Sequence, residues 1–160
     1  MMNLNPLTAV SPIDGRYYSQ TKHLSSYFSE YALIRYRLIV ETEYFIMLSE
    51  KKFFKADNRL KNKLRQLADQ FTVEDAMLIK ETEAITNHDV KAVEYFLKNK
   101  LEEYGAGNLK EWVHFGLTSQ DINNTAIPLL WKDAIEQQYL PWVLNLQMNI
   151  SALAHQWKDV

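Results

Sequence analysis

Three short polar segments of this sequence combine residue types that bind charged groups. They are Arg16-Tyr17, Asn87-His88-Asp89 and Thr118-Ser119. An arginine guanidinium binds a phosphate or carboxylate through two hydrogen bonds, and an aromatic ring beside it can stack on a base or a sugar. Amide, imidazole and hydroxyl groups add further hydrogen bonds. Together the segments suit a ligand that carries phosphate and carboxylate groups.

Two of these segments precede predicted helices, a position that favours anion binding. The first turn of a helix has free backbone N–H groups and the positive end of the helix dipole. Within Asn87-His88-Asp89, the imidazole of His88 is a candidate to donate to a phosphate or to carry a proton. The hydroxyls of Thr118 and Ser119 are candidates to hold a carboxylate or a phosphate.

A simpler interpretation gives the same residues structural roles only. Asp89 would be the N-cap of a helix, with His88 in a solvated loop. Thr118-Ser119-Gln120-Asp121 would be a capping box. Arg16 would be a surface residue in a turn beside a half-buried Tyr17. Each pattern taken alone leaves both interpretations open.

The sequence has few other candidates for chemistry. His114 lies in an apolar stretch, which predicts a packed rather than a catalytic histidine, and His23 and His155 have no polar neighbourhood. There is no cysteine, no histidine or carboxylate cluster with metal-ligand spacing, and no Gly-rich phosphate loop. We therefore expect neither a metal nor a cofactor.

The elements that position these residues are predicted to be helices, because apolar residues recur every three or four positions and no period-two strand pattern occurs. Helices are predicted over Ser29 to Ser49, over Val90 to Tyr104 and from Pro141 onward. A helix capped by Asp57 is predicted along Leu60, Leu64, Leu67 and Phe71. Two more helices are predicted to start at capping boxes, one from Thr72–Asp75 to about Glu83 and one from Thr118–Asp121 to about Gln138. Irregular segments are predicted at Asn3 to Arg16, Lys51 to Ala56 and Gly105 to Asn108, with a short helical turn at Lys110 to Phe115. Pro128 is expected to kink its helix or to mark a local irregularity.

Two predicted helices each have a row of apolar residues on one face. The first row is Leu33, Tyr36, Val40, Tyr44 and Met47, and the second, on the last helix, is Trp142, Leu146, Ile150, Leu153 and Trp157. Burying one large apolar side chain contributes about 1.5–3 kcal/mol, so an exposed row is unfavourable. We expect another copy of the chain, or a continuation of it, to cover the last helix.

Composition narrows the class of protein. Eighteen basic and 20 acidic residues give a net charge of −2, which argues against nucleic acid as a partner. The N-terminus lacks a secretory pattern, and no apolar run approaches the roughly 18 residues that span a bilayer. We expect a cytoplasmic protein that does not contact a membrane.

Longer stretches around the three segments resemble one family. Leu7 to Tyr17 and Thr86 to Leu97 are similar to signatures of bacterial adenylosuccinate lyases, and His114 to Asn124 resembles the first signature of the wider fumarase/aspartase superfamily. The resemblance covers essentially the whole chain. It implies an all-α homotetramer that releases fumarate from adenylosuccinate, leaving AMP, and from the succinylated aminoimidazole carboxamide ribotide of purine biosynthesis. The implied reaction is a β-elimination.

The resemblance also implies roles for individual residues. Arg16 and Tyr17 match a pair that contacts the nucleotide, Asn87-His88-Asp89 matches a second contact set, and Thr118-Ser119 matches a hydroxyl pair near the substrate. His88 is in addition a candidate auxiliary catalytic group.

The family's acid histidine and base serine lie in motifs that this sequence does not contain. We therefore expect the chain alone to be an inactive N-terminal part of the enzyme. We expect residues 1–117 to form an N-terminal helical domain and residues 118–160 to begin a central helical bundle. The alternatives are an argininosuccinate lyase-like protein and a non-catalytic helical interaction module.

Overall fold

The described part of the chain consists of helices and the turns and loops that connect them. The computed structural model describes residues 8, 10 and 14–159, with the backbone alone for residues 14–16, and within these ranges no strand occurs. The predicted all-α fold class is confirmed. The helices are α1 (Asp14–Thr21), α2 (Ser25–Phe28), α3 (Glu30–Glu50), α4 (Asn58–Asp69), α5 (Val73–Thr86), α6 (Asp89–Glu103), α7 (Ser119–Ala134) and α8 (Leu140–Gln156). Lys22–Leu24 and Gly107–Trp112 form 3-10 turns, and Ile135–Tyr139 forms a π turn.

The first helix begins earlier than the sequence predicts. Asp14, Gly15 and Arg16 are helical, so the prediction of irregular backbone through Arg16 is wrong for these three residues. An acidic residue in the first turn complements the helix dipole, which favours a helix start over the turn that Asp-Gly indicates. The rest of that predicted segment lies outside the described residues, apart from residues 8 and 10.

Helix α3 is the central element, and it packs against neighbours on more than one side. It begins after Ser29, whose hydroxyl accepts the Ala32 N–H at 3.1 Å. The five residues of the predicted apolar row share one face of the helix, but they are not its buried set, because only Tyr36 among them is fully buried and Met47 is 36% exposed. Packing on α4, α5 and α6 as well as on α2 and α7 buries residues around most of its circumference.

Two groups of buried side chains surround α3. The larger group joins α3 to α4, α5 and α6 and includes Leu38, Phe45, Leu64, Ile79, Val93, Leu97 and Leu101. The smaller group joins α2 and α3 to α7 and consists of Tyr27, Ala32, Tyr36, Ala126, Leu130 and Ala134. Close-packed interiors resist displacement. The starts of α6 and α7 are therefore held relative to each other through α3.

Most predicted boundaries of the middle helices are confirmed. The Asp57 carboxylate caps α4 by accepting the Leu60 N–H at 2.7 Å. The Thr72–Asp75 capping box starts α5, which extends past the predicted end at Glu83 to Thr86. Helix α6 ends before Gly105, whose φ of +76° is a conformation that glycine adopts without steric cost.

The last two helices are continuous. Helix α7 runs through Pro128, and the predicted separate helices meet in the π turn at Ile135–Tyr139, where the Leu140 N–H bonds to the Ile135 carbonyl. Pro141 follows at once. Its ring has no N–H and crowds the carbonyl four residues earlier, so the turn before it widens instead of breaking. Within the described residues, no helix is both long and apolar enough to cross a membrane.

Candidate functional site

The second polar segment forms a sharp connection between α5 and α6. Asn87 has φ +52° and ends α5, with its N–H bonded to the Glu83 carbonyl at 2.7 Å. Asparagine tolerates this left-handed conformation better than most residues. The chain then reverses into His88, which has extended backbone angles of φ −150° and ψ 112°. This turn places the His88 side chain at the start of α6.

The N-cap of α6 is His88, not Asp89 as predicted. The His88 Nδ1 accepts the Lys91 N–H at 3.2 Å, while Asp89 is already the first helical residue. The Asp89 carboxylate accepts the N–H of the next residue, Val90, at 2.8 Å. His88 is 49% exposed at its side chain, so it caps the helix and also faces solvent.

The third polar segment forms the predicted capping box of α7. The Asp121 carboxylate accepts the Thr118 N–H at 2.7 Å and the Thr118 hydroxyl at 2.9 Å. These two hydrogen bonds lower the pKa of Asp121. The next residue, Ser119, has its Oγ 3.4 Å from the Nε2 of His88. The fold therefore brings the second and third segments together.

A buried arginine of α3 contacts both α6 and α7 near these two segments. The Arg37 Nη2 lies 2.6 Å from the Asp89 Oδ2, and its Nε donates to the Asn123 Oδ1 at 2.9 Å. Burial acts to raise the pKa of Asp89. The hydrogen bond from Val90 and the positive charge of Arg37 outweigh this effect, so the pKa of Asp89 lies below its usual value. The Asp89 carboxylate therefore forms an ion pair with Arg37 that links α6 to α3.

A second buried charge lies one helical turn further along α3. The Glu41 carboxylate is fully buried, and its Oε1 is 2.5 Å from the Nδ1 of His114. This hydrogen bond, opposed by burial, raises the pKa of His114 above its ordinary value. The prediction that His114 is packed is confirmed, with a side chain only 12% exposed. Its pairing with a buried glutamate was not predicted.

The sequence motifs do not point to a site role for Arg37, Glu41 or Asn123. One signal was present: two oppositely charged residues four positions apart lie in a long apolar helix. Residues at that spacing share a helix face, and charges on a buried face need partners. The identity of those partners depends on the tertiary fold, so the sequence alone does not reveal them.

The first polar segment belongs to the start of α1. The backbone of Arg16 is part of α1, but its side chain lies outside the described residues. Tyr17 is 42% exposed. The role of Arg16 and Tyr17 in a common site therefore stays a prediction.

The meeting point of α6 and α7 suits an anionic ligand better than the groove beside it. The groove, of about 480 Å³, is lined by Arg37 and by the carboxylates of Glu30, Glu83 and Asp89, with Ile127 and Leu130 as apolar lining. An imidazole and a hydroxyl meet nearby at the first turns of two helices, where anions bind favourably. In the described ranges, no three histidine or carboxylate side chains are close enough to hold a metal ion.

Comparison with known proteins identifies the class to which this all-α chain belongs. A family model described as "Lyase" matches residues 15–160, and the chain belongs to this family. The chain is 48% identical over 167 residues to the adenylosuccinate lyase of Dictyostelium discoideum. It is 44% identical over 166 residues to the adenylosuccinate lyase of Legionella pneumophila strain Corby, and 42% identical over 166 residues to that of Escherichia coli K12.

The similarity covers nearly all of this chain but a minor part of those relatives. Each of the three alignments includes 99% of the chain and 36% of the relative. The chain thus spans about a third of the length of the curated relatives that it matches. The resemblance predicted from the motifs is confirmed.

Proposed function

We propose that this chain supplies part of the substrate site of an adenylosuccinate lyase. The full-length protein would cleave adenylosuccinate to AMP and fumarate, and would release fumarate from the succinylated aminoimidazole carboxamide ribotide. The observation that supports this most directly is the approach of His88 to Ser119 at 3.4 Å. It joins two segments that the resemblance assigns to one ligand. The identity of 42–48% to proteins named adenylosuccinate lyase supports the choice of substrate.

Each segment has a proposed part in binding. Arg16 and Tyr17 would contact the nucleotide, with the guanidinium on a phosphate and the ring on a sugar or base. Asn87, His88 and Asp89 would form the second contact set, in which Asp89 orients the turn through its ion pair with Arg37. Thr118 and Ser119 would contribute hydroxyls to an anionic end of the substrate.

The proposed reaction is an elimination that breaks one C–H bond and one C–N bond. A base removes a proton from the carbon next to a carboxylate, the C–N electron pair leaves with the nitrogen, and an acid protonates that nitrogen. Fumarate forms with its new double bond. We propose that residues outside this sequence supply the acid and the base, and that the chain alone is inactive. The Nε2 of His88 would act as an auxiliary donor that stabilises developing negative charge.

The architecture of the whole protein is part of the same proposal. Residues 1–117 would form an N-terminal helical domain and residues 118–160 would begin a central bundle. Through this bundle the full-length protein would assemble as a homotetramer. The exposed apolar side chains of α8 support such an assembly, since a helix in this state gains free energy on burial. We also propose a cytoplasmic location.

The test is fumarate release by the full-length protein, with adenylosuccinate and argininosuccinate offered separately. We expect release from adenylosuccinate only. Release from argininosuccinate alone would favour the related lyase instead. No release from either would contradict a lyase function for this site.

A matched pair of histidine variants assigns the activity to the proposed site. His88→Asn preserves a side chain that can cap α6 but removes the Nε2 donor, and we expect it to lower kcat/KM by about 100-fold, the size of effect that follows the loss of one transition-state hydrogen-bond donor. His155→Asn makes the same exchange on α8, on the side of the helix opposite the row from Trp142 to Trp157. We expect it to leave the kinetics near those of the unmodified protein. Equal effects of the two variants would contradict the proposed role of His88.

The 160-residue chain offers a second measurement, its thermal unfolding with AMP. A ligand at 100 times its dissociation constant adds about 2.7 kcal/mol to the free energy of unfolding, and an incomplete site adds less. We expect a small stabilisation by AMP that His88→Asn abolishes and His155→Asn retains. An AMP effect that survives in His88→Asn would place the nucleotide elsewhere.

A further inference from the structure

Two oppositely charged residues lie buried on one face of α3. Arg37 and Glu41 are four positions apart, which places them one turn apart on the same side of the helix. The side chain of Arg37 is 8% exposed and that of Glu41 is 0% exposed. Burying a charge is unfavourable unless partners compensate it. The partners of these two residues therefore indicate what the charges do.

Arg37 joins the starts of α6 and α7. Its two contacts reach Asp89, in the first turn of α6, and Asn123, about one turn into α7. Asp89 directly follows His88, and Asn123 lies four residues after Ser119. The guanidinium is planar and rigid, so one side chain that binds both partners fixes their separation. The contact of 3.4 Å between His88 and Ser119 lies between the same two helix starts.

Glu41 holds the loop that leads into α7. Its partner His114 has φ +60°, a left-handed conformation that is unfavourable for a residue with a Cβ. The His114 Nε2 also lies 3.7 Å from Glu94, which accepts a hydrogen bond from Lys91 at 2.7 Å. The loop is thus tied to both α3 and α6 just before Thr118.

We propose that Arg37 and Glu41 are positioning residues of the substrate site, and this inference rests on the proposed function. Arg37 sets the separation of His88 from Ser119, and Glu41 sets the path by which the chain enters the Thr118-Ser119 turn. Both act through side chains that the buried face of α3 holds in place. Neither needs to touch the substrate.

The first experiment compares full-length variants in the fumarate-release assay. Arg37→Met and Glu41→Leu remove the charge and its hydrogen bonds while they preserve much of the side-chain volume. A displacement of about 1 Å at a reacting group costs about 100-fold in rate, so we expect kcat/KM to fall by about that factor. We expect Arg37→Lys and Glu41→Gln to recover part of the loss, because lysine can still pair with Asp89 and glutamine can still accept a hydrogen bond from His114.

Arg65→Met is the matched control. Arg65 binds Glu43, another glutamate of α3, through two hydrogen bonds of 2.7 and 2.9 Å on the exposed surface. Its loss removes the same charge and leaves an unpaired glutamate on the same helix. We expect kcat/KM to be unchanged in this variant. Kinetics of Arg37→Met and Glu41→Leu that match those of Arg65→Met would overturn the positioning roles.

A structural measurement separates this inference from the proposed function. Crystal structures of the Arg37→Met, Asn123→Ala and Arg65→Met variants give the distance from the His88 Nε2 to the Ser119 Oγ. We expect it to exceed hydrogen-bonding range in Arg37→Met and to stay near 3.4 Å in Arg65→Met. If the unmodified protein releases no fumarate, the proposed function is wrong, and this distance alone decides the role of Arg37. An unchanged distance in Arg37→Met contradicts that role. Should the methionine variant not fold, Asn123→Ala removes the bond between Arg37 and α7, and an unchanged distance there contradicts the role in the same way.

Discussion

The Nε2 of His88 lies 3.4 Å from the Oγ of Ser119, although the two residues are 31 positions apart. The other ring nitrogen, Nδ1, accepts the backbone N–H of Lys91 at 3.2 Å. When Nδ1 accepts a hydrogen bond, the proton of a neutral imidazole must be on Nε2, which makes that atom a donor. The capping bond at Nδ1 therefore leaves the Nε2–H of His88 directed toward the Ser119 hydroxyl. Capping and ligand binding are compatible roles for His88.

The first prediction separates these two roles of His88 by stability. His88→Ala removes the N-cap of α6 and should lower the free energy of unfolding by about 1 kcal/mol. His88→Asn should have nearly the unmodified stability, because asparagine is a favourable N-cap. Urea denaturation of both variants measures the difference. Equal stability of the two variants would show that the hydrogen bond to Lys91 does not stabilise the helix.

The second prediction compares the two capping boxes. Thr72 and Asp75 start α5, and Thr118 and Asp121 start α7 with closely similar hydrogen bonds. Thr72→Ala and Thr118→Ala should each lower the free energy of unfolding by about 0.5–2 kcal/mol. Only Thr118→Ala should also raise the KM of the full-length protein in the fumarate-release assay. Loss of substrate affinity in Thr72→Ala as well would mean that the effect comes from stability and not from the site.

The two capping boxes also show which features a sequence predicts well. The Thr72–Asp75 and Thr118–Asp121 boxes depend on residues three apart, so the pattern contains the whole interaction. The Gly105 helix end is local in the same way. The sequence predicts Asp89 as the cap of α6, because capping is the commonest use of aspartate at such a position. Asp89 instead pairs with Arg37, a residue 52 positions earlier that no local pattern connects to it.

The tertiary interactions explain the remaining differences. A single apolar row was expected on α3, yet this helix is surrounded by other helices and buries charged residues with the apolar ones. A single apolar row in the sequence is typical of a helix that is covered on one side only. The pattern therefore does not predict which residues are buried in a central helix that is covered on several sides. The His114 pairing was missed for a related reason, since its partner Glu41 is 73 positions away. Motif resemblance, in contrast, predicted the family, because long stretches of sequence contribute to it.

The third prediction concerns the pH dependence of stability. The hydrogen bond with Glu41 raises the pKa of His114 above its ordinary 6.5, with added contributions from the charges of Glu41 and Glu94 and opposition from Lys91. A histidine with a raised pKa in the folded state stabilises that state fully below the unfolded pKa and loses the contribution as pH rises through the folded pKa. The free energy of unfolding should therefore decrease as pH increases above 6.5.

Glu41→Gln provides the control for this pH effect. The substitution removes the negative charge beside His114 but retains a hydrogen-bond acceptor of the same shape. Glu94 and Lys91 of α6 and Asp121 of α7 keep their charges, so any change in slope is due to Glu41. Urea denaturation at a series of pH values above 6 should show a shallower decrease in the variant. Parallel curves for the two proteins would contradict the assignment of the pH effect to this pair.

The fourth prediction concerns the apolar row of α8. Trp142, Leu146, Ile150, Leu153 and Trp157 are 44–60% exposed within the chain. Burying one such side chain contributes about 1.5–3 kcal/mol, so the 160-residue chain should self-associate through this row. Leu146→Glu and Ile150→Glu place charges in the row and should reduce association. Met148→Glu places the same charge on a different face of the helix, at a residue that is 70% exposed, and should associate like the unmodified chain. Sedimentation velocity over a range of concentrations measures the self-association of the unmodified chain and the three variants. If Met148→Glu reduces association as strongly as Leu146→Glu does, the row is not the contact surface.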